Sequence, residues 1–402
     1  MNRSIAPETQ RIQQFKPPLC IWEERVGRLW HLSPRRNIGL VRLELCFPGG
    51  RMVQSQLLQA QAAMQLLLSG SQSQSEAELV ARLDSLGVRH SFEADTHSHS
   101  LVFVFRPELT DHVLPFVFSE PWQCVYPEDK LNAYIQSSQA ALARRQLSPS
   151  YWAQRNGMAN LYGASSFLGQ SADPKDYENL NPGILQSYKE QHLALDKAMV
   201  LVSGQHSDDF CQKIDAFLPQ NKHNLFIDNN LHSLSVPDAY LQSDTKIEKK
   251  LAHSNQVSMH WGLAMGEIST DDRTALGLLN TVMGGYFGSR LMQDIREERG
   301  LTYGIGSRLN PALGGYTWTI RSETKSDSIE LVQEAVIDHL NRLQQELIPT
   351  AELERAQAYF AGAFRAQFDG PFASAQRAKQ NWVYGQTQKD LEGTLARLWS
   401  CT

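Results

Sequence analysis

The chain of 402 residues contains an internal repeat, and this repeat limits its fold more than any other feature. Residues 127–163 align without a gap on residues 349–385, so that Pro149 pairs with Pro371 and both segments end in Tyr-Gly. In each copy a proline precedes a long helical stretch, a second proline interrupts it, and a further helix follows. Self-similarity of this kind predicts two copies of one structural unit.

Strands are predicted upstream of the helical part in each copy. In the first copy they cover 43–50 and 98–107, and in the second copy a hairpin joins 303–309 to 316–323. Runs of strands followed by runs of helices are typical of the α+β class. We therefore expect two homologous α+β domains in a clamshell arrangement, each with helices packed on one face of a mainly antiparallel sheet.

The composition between the two copies changes to polar and turn-forming residues, which indicates a linker over 221–244. The first domain is then expected over 1–220 and the second over 245–402. The first copy ends with a helix followed by a strand at 198–204, which we interpret as a sheet edge. The second copy has no counterpart of this helix and strand. We expect the second domain to be truncated, by nature or otherwise.

Charge and cysteine content exclude several classes of function. The 38 basic and 43 acidic residues give a net charge of −5, which does not favour nucleic-acid binding. Five cysteines, widely spaced and odd in number, indicate free thiols in a reducing compartment. The N-terminus shows no signal peptide, and no apolar run is long enough to span a bilayer. We therefore expect a cytoplasmic protein with no membrane partner.

The segment FGSRLMQDIREERGLTYGIGSRL, residues 287–309, closely resembles the second-domain signature of the insulinase/pitrilysin-type peptidases, also called inverzincins. Relatives of that family include mitochondrial processing peptidase and the core subunits of the respiratory cytochrome bc1 complex. The resemblance extends over nearly the whole chain and includes EAELVARLDSLG at 76–87. It implies two peptidase-like domains that enclose a chamber for unfolded peptides.

The zinc-binding residues of that family are missing. Active members carry H-x-x-E-H on the first helix of the first domain, where two histidines bind Zn²⁺ and the glutamate activates water. The matching residues here are Gln61, Met64 and Gln65. An amide is a weak zinc ligand, and methionine cannot accept a proton. Neither 45–75 nor 130–172, where the third ligand is expected, contains a carboxylate or histidine. We expect no catalytic zinc in this chain.

The second-domain residues of that signature are present. The resemblance implies that Arg296 and Tyr303 bind the substrate backbone and stabilise the tetrahedral intermediate opposite a zinc ion. A guanidinium and a phenol can donate hydrogen bonds where negative charge develops. As an alternative, Arg296 is a surface ion-pair partner of Glu297 or Asp294, and Tyr303 is a core strand residue.

The glycine-rich loop before this segment is predicted to lie close to a bound peptide. We assign substrate binding to Gly284, Gly285, Gly288 and Ser289. A nucleotide-binding function is not favoured, because the loop follows a helix and no Gly-Lys-Ser/Thr motif is present.

The histidines in DTHSHSL, with His90 nearby, are a separate candidate site. His97 and His99 are two residues apart, on one side of a predicted strand. Such spacing can bind a metal. We favour the alternative that they are exposed polar residues of the strand.

These observations predict the non-zinc subunit of a heterodimeric metallopeptidase. It would be inactive alone, with no cofactor of its own, and would pair with a homologous zinc-binding subunit to cleave unfolded peptides. In isolation it could form a homodimer. Two alternatives stay open: a structural subunit similar to the respiratory core proteins, and a free-standing peptide-binding protein.

Overall fold

A computed structural model of the chain describes residues 15–18, 22–25, 28–32, 38–218, 246–251, 254–312 and 314–402. The expected linker 221–244 and Cys20 lie outside these residues. We refer to the described chain up to residue 218 as the first half and from residue 246 as the second half. The cysteines of the described part are free thiols. No helix in these ranges combines the length and the apolar character needed to cross a membrane.

The first half contains one mixed sheet. Its strands are β1 (Trp22–Arg25), β2 (Arg28–Leu32), β3 (Val41–Pro48), β4 (Arg89–Ala94), β5 (Ser98–Phe105) and β6 (Met199–Gly204). Their order across the sheet is β1-β2-β6-β3-β5-β4, and all neighbours are antiparallel except β2 and β6. The prediction that 198–204 forms a sheet edge was wrong, because β6 lies between β2 and β3.

The helices of the first half are α1 (Gln59–Gln65), α2 (Glu76–Ser85), α3 (Thr110–Ser119), α4 (Glu128–Gln146), α5 (Pro149–Tyr162), α6 (Pro182–His192) and α7 (Phe210–Asp215). All of them except α5 contribute buried residues to a core on one face of this sheet. Alternate residues of β3, namely Val41, Leu43 and Leu45, are fully buried in the core that these helices share with the sheet. This alternation follows from the two-residue period of a strand.

The second half contains a smaller antiparallel sheet. Its strands are β7 (Gln256–Met265), β8 (Thr302–Ala312) and β9 (Gly315–Lys325), in the order β7-β9-β8. The predicted hairpin is present, with longer strands than expected. The helices are α8 (Thr270–Asn280), α9 (Ile329–Gln345), α10 (Thr350–Ala366), α11 (Gly370–Val383), α12 (Gln388–Glu392) and α13 (Thr394–Ser400). The chain is thus an α+β protein of two related units.

The other face of each sheet is covered by a helix from the opposite half. Helix α5 of the first half packs on β7, and α11 of the second half packs on β6. These two helices are equivalent in the sequence repeat, because Pro149 and Pro371 stand in their first turns. The two halves therefore exchange one helix each, and the apolar face of each exchanged helix depends on the other half for its burial.

An ion-pair network joins α11 to the first sheet. The Lys379 ammonium contacts Glu44 at 2.7 Å and Glu93 at 2.8 Å, and Arg42 lies 2.5 Å from the second carboxylate oxygen of Glu44. Glu44 is fully buried on the central strand β3. Burial alone would raise the pKa of Glu44, but the positive charges of Arg42 and Lys379 outweigh it and lower the pKa. A charge buried this deeply requires such partners.

The equivalent contact, between α5 and the second sheet, contains no ion pair. On α5, Gly157 lies against the ring of His260 on β7, whose Nδ1 is 3.3 Å from the carbonyl oxygen of Ala153. One turn further along, Leu161 packs against Gly262. Burial and the nearby Arg321 charge lower the pKa of His260 to about 4, so this imidazole is neutral at pH 7. A close approach of helix and strand therefore replaces the ion pair.

Replacing Lys379 by methionine is expected to lower the free energy of unfolding by about 3–5 kcal/mol, because it leaves Glu44 buried with one cationic partner fewer. The measurement is urea unfolding at pH 7, with the exposed Lys389→Met variant as control, expected within about 0.5 kcal/mol of the native chain. Folding lowers the pKa of Glu44. The stability difference between the native chain and Lys379→Met is therefore full above the pKa of Glu44 in the unfolded chain, about 4.3, and declines as the pH falls below that value. Equal stability of Lys379→Met and Lys389→Met would contradict the network's role.

Gly157→Ala is expected to destabilise the protein by about 1–3 kcal/mol, because the added Cβ would lie 2.0 Å from His260 Nδ1. The matched control is Gly362→Ala, at a glycine of α10 whose Cβ would meet open space. There the substitution should stabilise by about 0.5–1 kcal/mol, because alanine is the better helix former. Thermal unfolding followed by circular dichroism distinguishes the two. A stabilising effect at both positions would show that α5 does not approach β7 closely.

Candidate functional site

Helix α1 carries the residues that match the family's zinc motif. Gln61 and Gln65 are both exposed and stand four residues apart, on one face of the helix. Met64 is fully buried in the core of the first half. Within the described chain, no group of three or more His, Cys, Asp or Glu side chains could hold a metal ion. The exposed face of α1 therefore presents two neutral amides.

The start of α1 is fixed by contacts of its own. Leu58, immediately before the helix, has a left-handed backbone with φ of 71°. This conformation costs a non-glycine residue about 1–2 kcal/mol, and such residues are concentrated at functional sites. Gln59 then accepts hydrogen bonds from the backbone and hydroxyl of Ser55 and donates one to the carbonyl of Ile184 on α6. These contacts hold α1 against α6 and fix its exposed face.

A cavity of about 570 Å³, which we did not predict from the sequence, lies beside this face. Gln61 lines it, together with residues of α4, α5 and the loop that follows α5. Its wall contains Arg51, Arg145 and Arg155 and no acidic residue. One signal was present in the sequence: 130–172 lacks carboxylates and histidines but contains lysine and arginine. A segment that contains cationic residues and no acidic ones predicts a positive surface as well as the absence of a zinc ligand.

The histidines of the first sheet do not form a site at the surface. His97 and His99 are buried, so the interpretation as exposed strand residues was wrong. His99 Nε2 lies 2.7 Å from the hydroxyl of Tyr188, and the ring of His97 packs edge-on against Tyr384. Burial lowers the pKa of each to about 4, so both are neutral at pH 7. His90 is half-buried and packs against Phe92 instead.

Arg296 and Tyr303 lie in the second half, on either side of a turn. Arg296 belongs to a π-helical segment, Met292–Glu298, and its guanidinium is 3.2 Å from Glu297 and 5.7 Å from the centre of the Phe287 ring. The predicted ion pair with Glu297 is therefore present, but it is a half-exposed pair of the kind that contributes little. Tyr303 is 65% exposed, so the alternative of a core strand residue was wrong.

The segment that carries Arg296 is anchored at its neighbours. Asp294 accepts hydrogen bonds from Arg299 Nε at 2.7 Å and from His339 Nε2 at 2.8 Å, and Ile295 is fully buried. Burial would raise the pKa of Asp294, but these two hydrogen bonds lower it. Asp294 was the other predicted ion-pair partner of Arg296, but it contacts Arg299 and His339 instead. The backbone is thus fixed while the Arg296 guanidinium stays accessible.

The glycine-rich stretch begins inside one π-helical segment, Thr281–Gly285, and leads to a second one, Met292–Glu298. Segments of this type are frequent at functional sites. A Cβ on Gly284 would lie 2.6 Å from the backbone nitrogen of Ser307, which requires glycine there. Gly284 and Ser289 are buried, whereas Gly288 is exposed. Among the four predicted residues, only Gly285 and Gly288 retain accessible surface.

Comparison with known proteins agrees with this picture. Residues 179–360 match the family model described as the peptidase M16 inactive domain. A Bacillus subtilis protein named an uncharacterized zinc protease is 23% identical over 220 residues, which are 55% of this chain and 52% of that protein. The chain thus spans about half the length of this relative. A Helicobacter pylori protein named a non-peptidase homolog is 24% identical over 84% of this chain and 77% of its own length.

The fold is also found among solved structures. The crystal structure of a peptidase M16 inactive domain from Pseudomonas fluorescens superposes with a TM-score of 0.78 at 19% identity, and the alignment covers 95% of this chain and 92% of that one. Residues 179–360 are thus similar to the inactive domain of the insulinase/pitrilysin-type (M16) peptidases, and α1 carries Gln61, Met64 and Gln65 in place of the H-x-x-E-H motif.

Proposed function

We propose that this chain is the non-zinc subunit of a heterodimeric zinc peptidase. A homologous partner would hold the zinc, and this chain would supply Arg296 and Tyr303 to the substrate. The observation that carries the proposal is the contrast between two exposed faces. Neutral Gln61 and Gln65 occupy the zinc-ligand positions, whereas the polar ends of Arg296 and Tyr303 stay accessible on an anchored segment.

The two side chains suit the stabilisation of an oxyanion. A guanidinium remains charged at all physiological pH values and offers several N–H donors, and a phenol offers one O–H donor. Both can donate to the carbonyl oxygen of a peptide bond as it gains negative charge. The partner's zinc would supply the activated water. In this chain Gly285 and Gly288 would allow the peptide backbone to approach the loop beside Arg296.

The proposed substrate is an unfolded peptide. The first sheet ends at the edge strand β4, whose backbone can pair with an added strand. Binding through backbone hydrogen bonds would tolerate many peptide sequences. The first domain (1–220), the linker (221–244), the second domain (245–402), a cytoplasmic location and a homodimer in the absence of the partner are parts of the same proposal.

A second candidate is a non-catalytic subunit of the same fold. It is favoured by the name of the Helicobacter relative, a non-peptidase homolog. In that case no zinc-containing homologue would co-purify with the chain, and Arg296 and Tyr303 could be replaced without any loss of peptidase activity. Co-purification from the native cell, followed by metal analysis, distinguishes the two candidates.

Zinc binding should be restored in part by returning two ligands to α1. The native chain is expected to bind Zn²⁺ weakly, and Gln61→His with Gln65→His should raise the affinity at least about tenfold over either single variant, because both imidazoles can bind one ion from the same helix face. The measurement is competition with a chromogenic zinc chelator. If the double variant binds no tighter than the single ones, the two positions do not face the same site.

The catalytic part of the proposal is tested with the purified pair and an unfolded peptide. Arg296→Ala and Tyr303→Phe should each lower kcat/KM by about 10²–10³, because each removes one donor to the developing oxyanion. Tyr359→Phe, at a tyrosine of α10 that is 48% exposed, and Arg144→Ala, at an exposed arginine of α4, are matched controls and should leave turnover unchanged. Undiminished turnover in both Arg296→Ala and Tyr303→Phe would contradict an oxyanion role.

A further inference from the structure

The cavity beside α1 has the size and position of a ligand site. Its volume of about 570 Å³ falls within the range of about 300–1,000 Å³ that is usual for small-ligand pockets. Gln61, the residue at the first zinc-ligand position, forms part of its wall. Gln154, another wall residue, accepts a hydrogen bond from Arg321 on β9 at 3.2 Å. The cavity therefore extends to the surface where the first half meets the second sheet.

The charge on the cavity wall is positive. Arg155 is paired with Asp173 through two hydrogen bonds, of 2.6 and 2.9 Å, and is therefore largely neutralised. Arg51 donates to the hydroxyl of Thr96 at 2.6 Å and interacts electrostatically with Asp95. Within the described chain Arg145 makes no ion pair. Arg51 and Arg145 are both exposed to the cavity, so two guanidinium groups are available to a ligand.

The rest of the wall combines hydrogen-bond donors with apolar side chains. The amides of Gln54, Gln61 and Gln170 and the hydroxyl of Tyr151 can donate to an oxygen, whereas Leu57, Leu142 and Phe167 provide apolar contacts. Guanidinium groups bind carboxylates with matched geometry, and a concave wall strengthens the interaction by limiting solvent screening. A zinc site would instead bind a cation here. The cavity therefore has the opposite charge preference.

We propose that this cavity binds a carboxylate of the peptide substrate, either a Glu or Asp side chain or the C-terminus, through Arg51 and Arg145. The inference rests on the proposed function, because it names the class of peptide that the chain would handle. Binding of an acidic peptide in the cavity would place its next residues along the surface shared with the second half, where Gln154 meets Arg321.

The test uses the full chain without a partner and short unstructured peptides of Gly, Ser and Leu, labelled at the N-terminus, in fluorescence anisotropy. The acidic peptide carries two Glu residues and a free C-terminus. The neutral peptide has Gln in place of both Glu residues and an amidated C-terminus, and two further peptides carry only one of these changes. We expect the acidic peptide to bind at least about tenfold more tightly than the neutral one, with a difference that decreases as salt is added. The two singly changed peptides show which carboxylate is recognised.

Variants of the chain assign the effect to the cavity. Arg51→Gln and Arg145→Gln should each weaken binding of the acidic peptide about threefold to tenfold and leave the neutral peptide unchanged. Arg51→Lys keeps the charge and should retain most of the preference, which separates loss of charge from loss of folding. Arg144→Gln, on the same helix as Arg145 but outside the cavity, is the matched control.

Equal affinity for the acidic and neutral peptides would overturn the inference, as would equal behaviour of Arg145→Gln and Arg144→Gln. Neither result affects the proposed function, which depends on turnover by the pair and on Arg296 and Tyr303. Conversely, an acidic preference that depends on Arg51 and Arg145 supports the inference even if the pair proves inactive.

Discussion

The buried ion pair between Lys379 and Glu44 decides how the two halves of this protein fit together. A lysine on α11 would be destabilising on a sheet without a carboxylate opposite it, and Glu44 on the central strand β3 would be equally destabilising without cations. Lys379 and Glu44 are therefore stable in the interior only as a pair, and the pair forms only when α11 packs on the sheet of the first half. At the equivalent place, Gly157 permits α5 to approach His260 closely. Each half consequently depends on the other for one covered face of its sheet.

The chemical properties of the chain follow from the side chains that this fold exposes to solvent. On α1 the zinc-ligand face carries amides, the position of the general base is occupied by the buried Met64, and arginines line the adjacent cavity. The second half holds Arg296 on a backbone that Asp294 and His339 fix. The described part of the chain exposes groups that can bind negative charge and contains no cluster of side chains that could hold a metal ion. This combination supports a subunit that binds and orients a peptide while another chain supplies the zinc.

Much of this could be predicted from sequence because its signals are local. Prolines, Tyr-Gly endings and strand alternation gave the repeat, the α+β class and the β8–β9 hairpin, all of which the structure contains. The exchange of α5 and α11 could not be predicted, because amphipathicity shows that a helix is buried but not against which sheet. The burial of His97, His99 and Ser289 was missed for a similar reason: their surroundings come from distant segments. The cavity likewise required α1, α4 and α5 to be brought together.

In the function we propose, the zinc ion and the residues that donate hydrogen bonds to the oxyanion belong to different chains. Native mass spectrometry of this chain, co-expressed with a homologous chain that carries H-x-x-E-H, tests it most directly, because it reports composition and metal content of one complex. We expect a heterodimer with a single zinc ion, which is lost when the histidines of the partner are replaced and retained when Gln61 and Gln65 are replaced by alanine. Zinc bound to this chain alone, or the absence of any heterodimer, would contradict it.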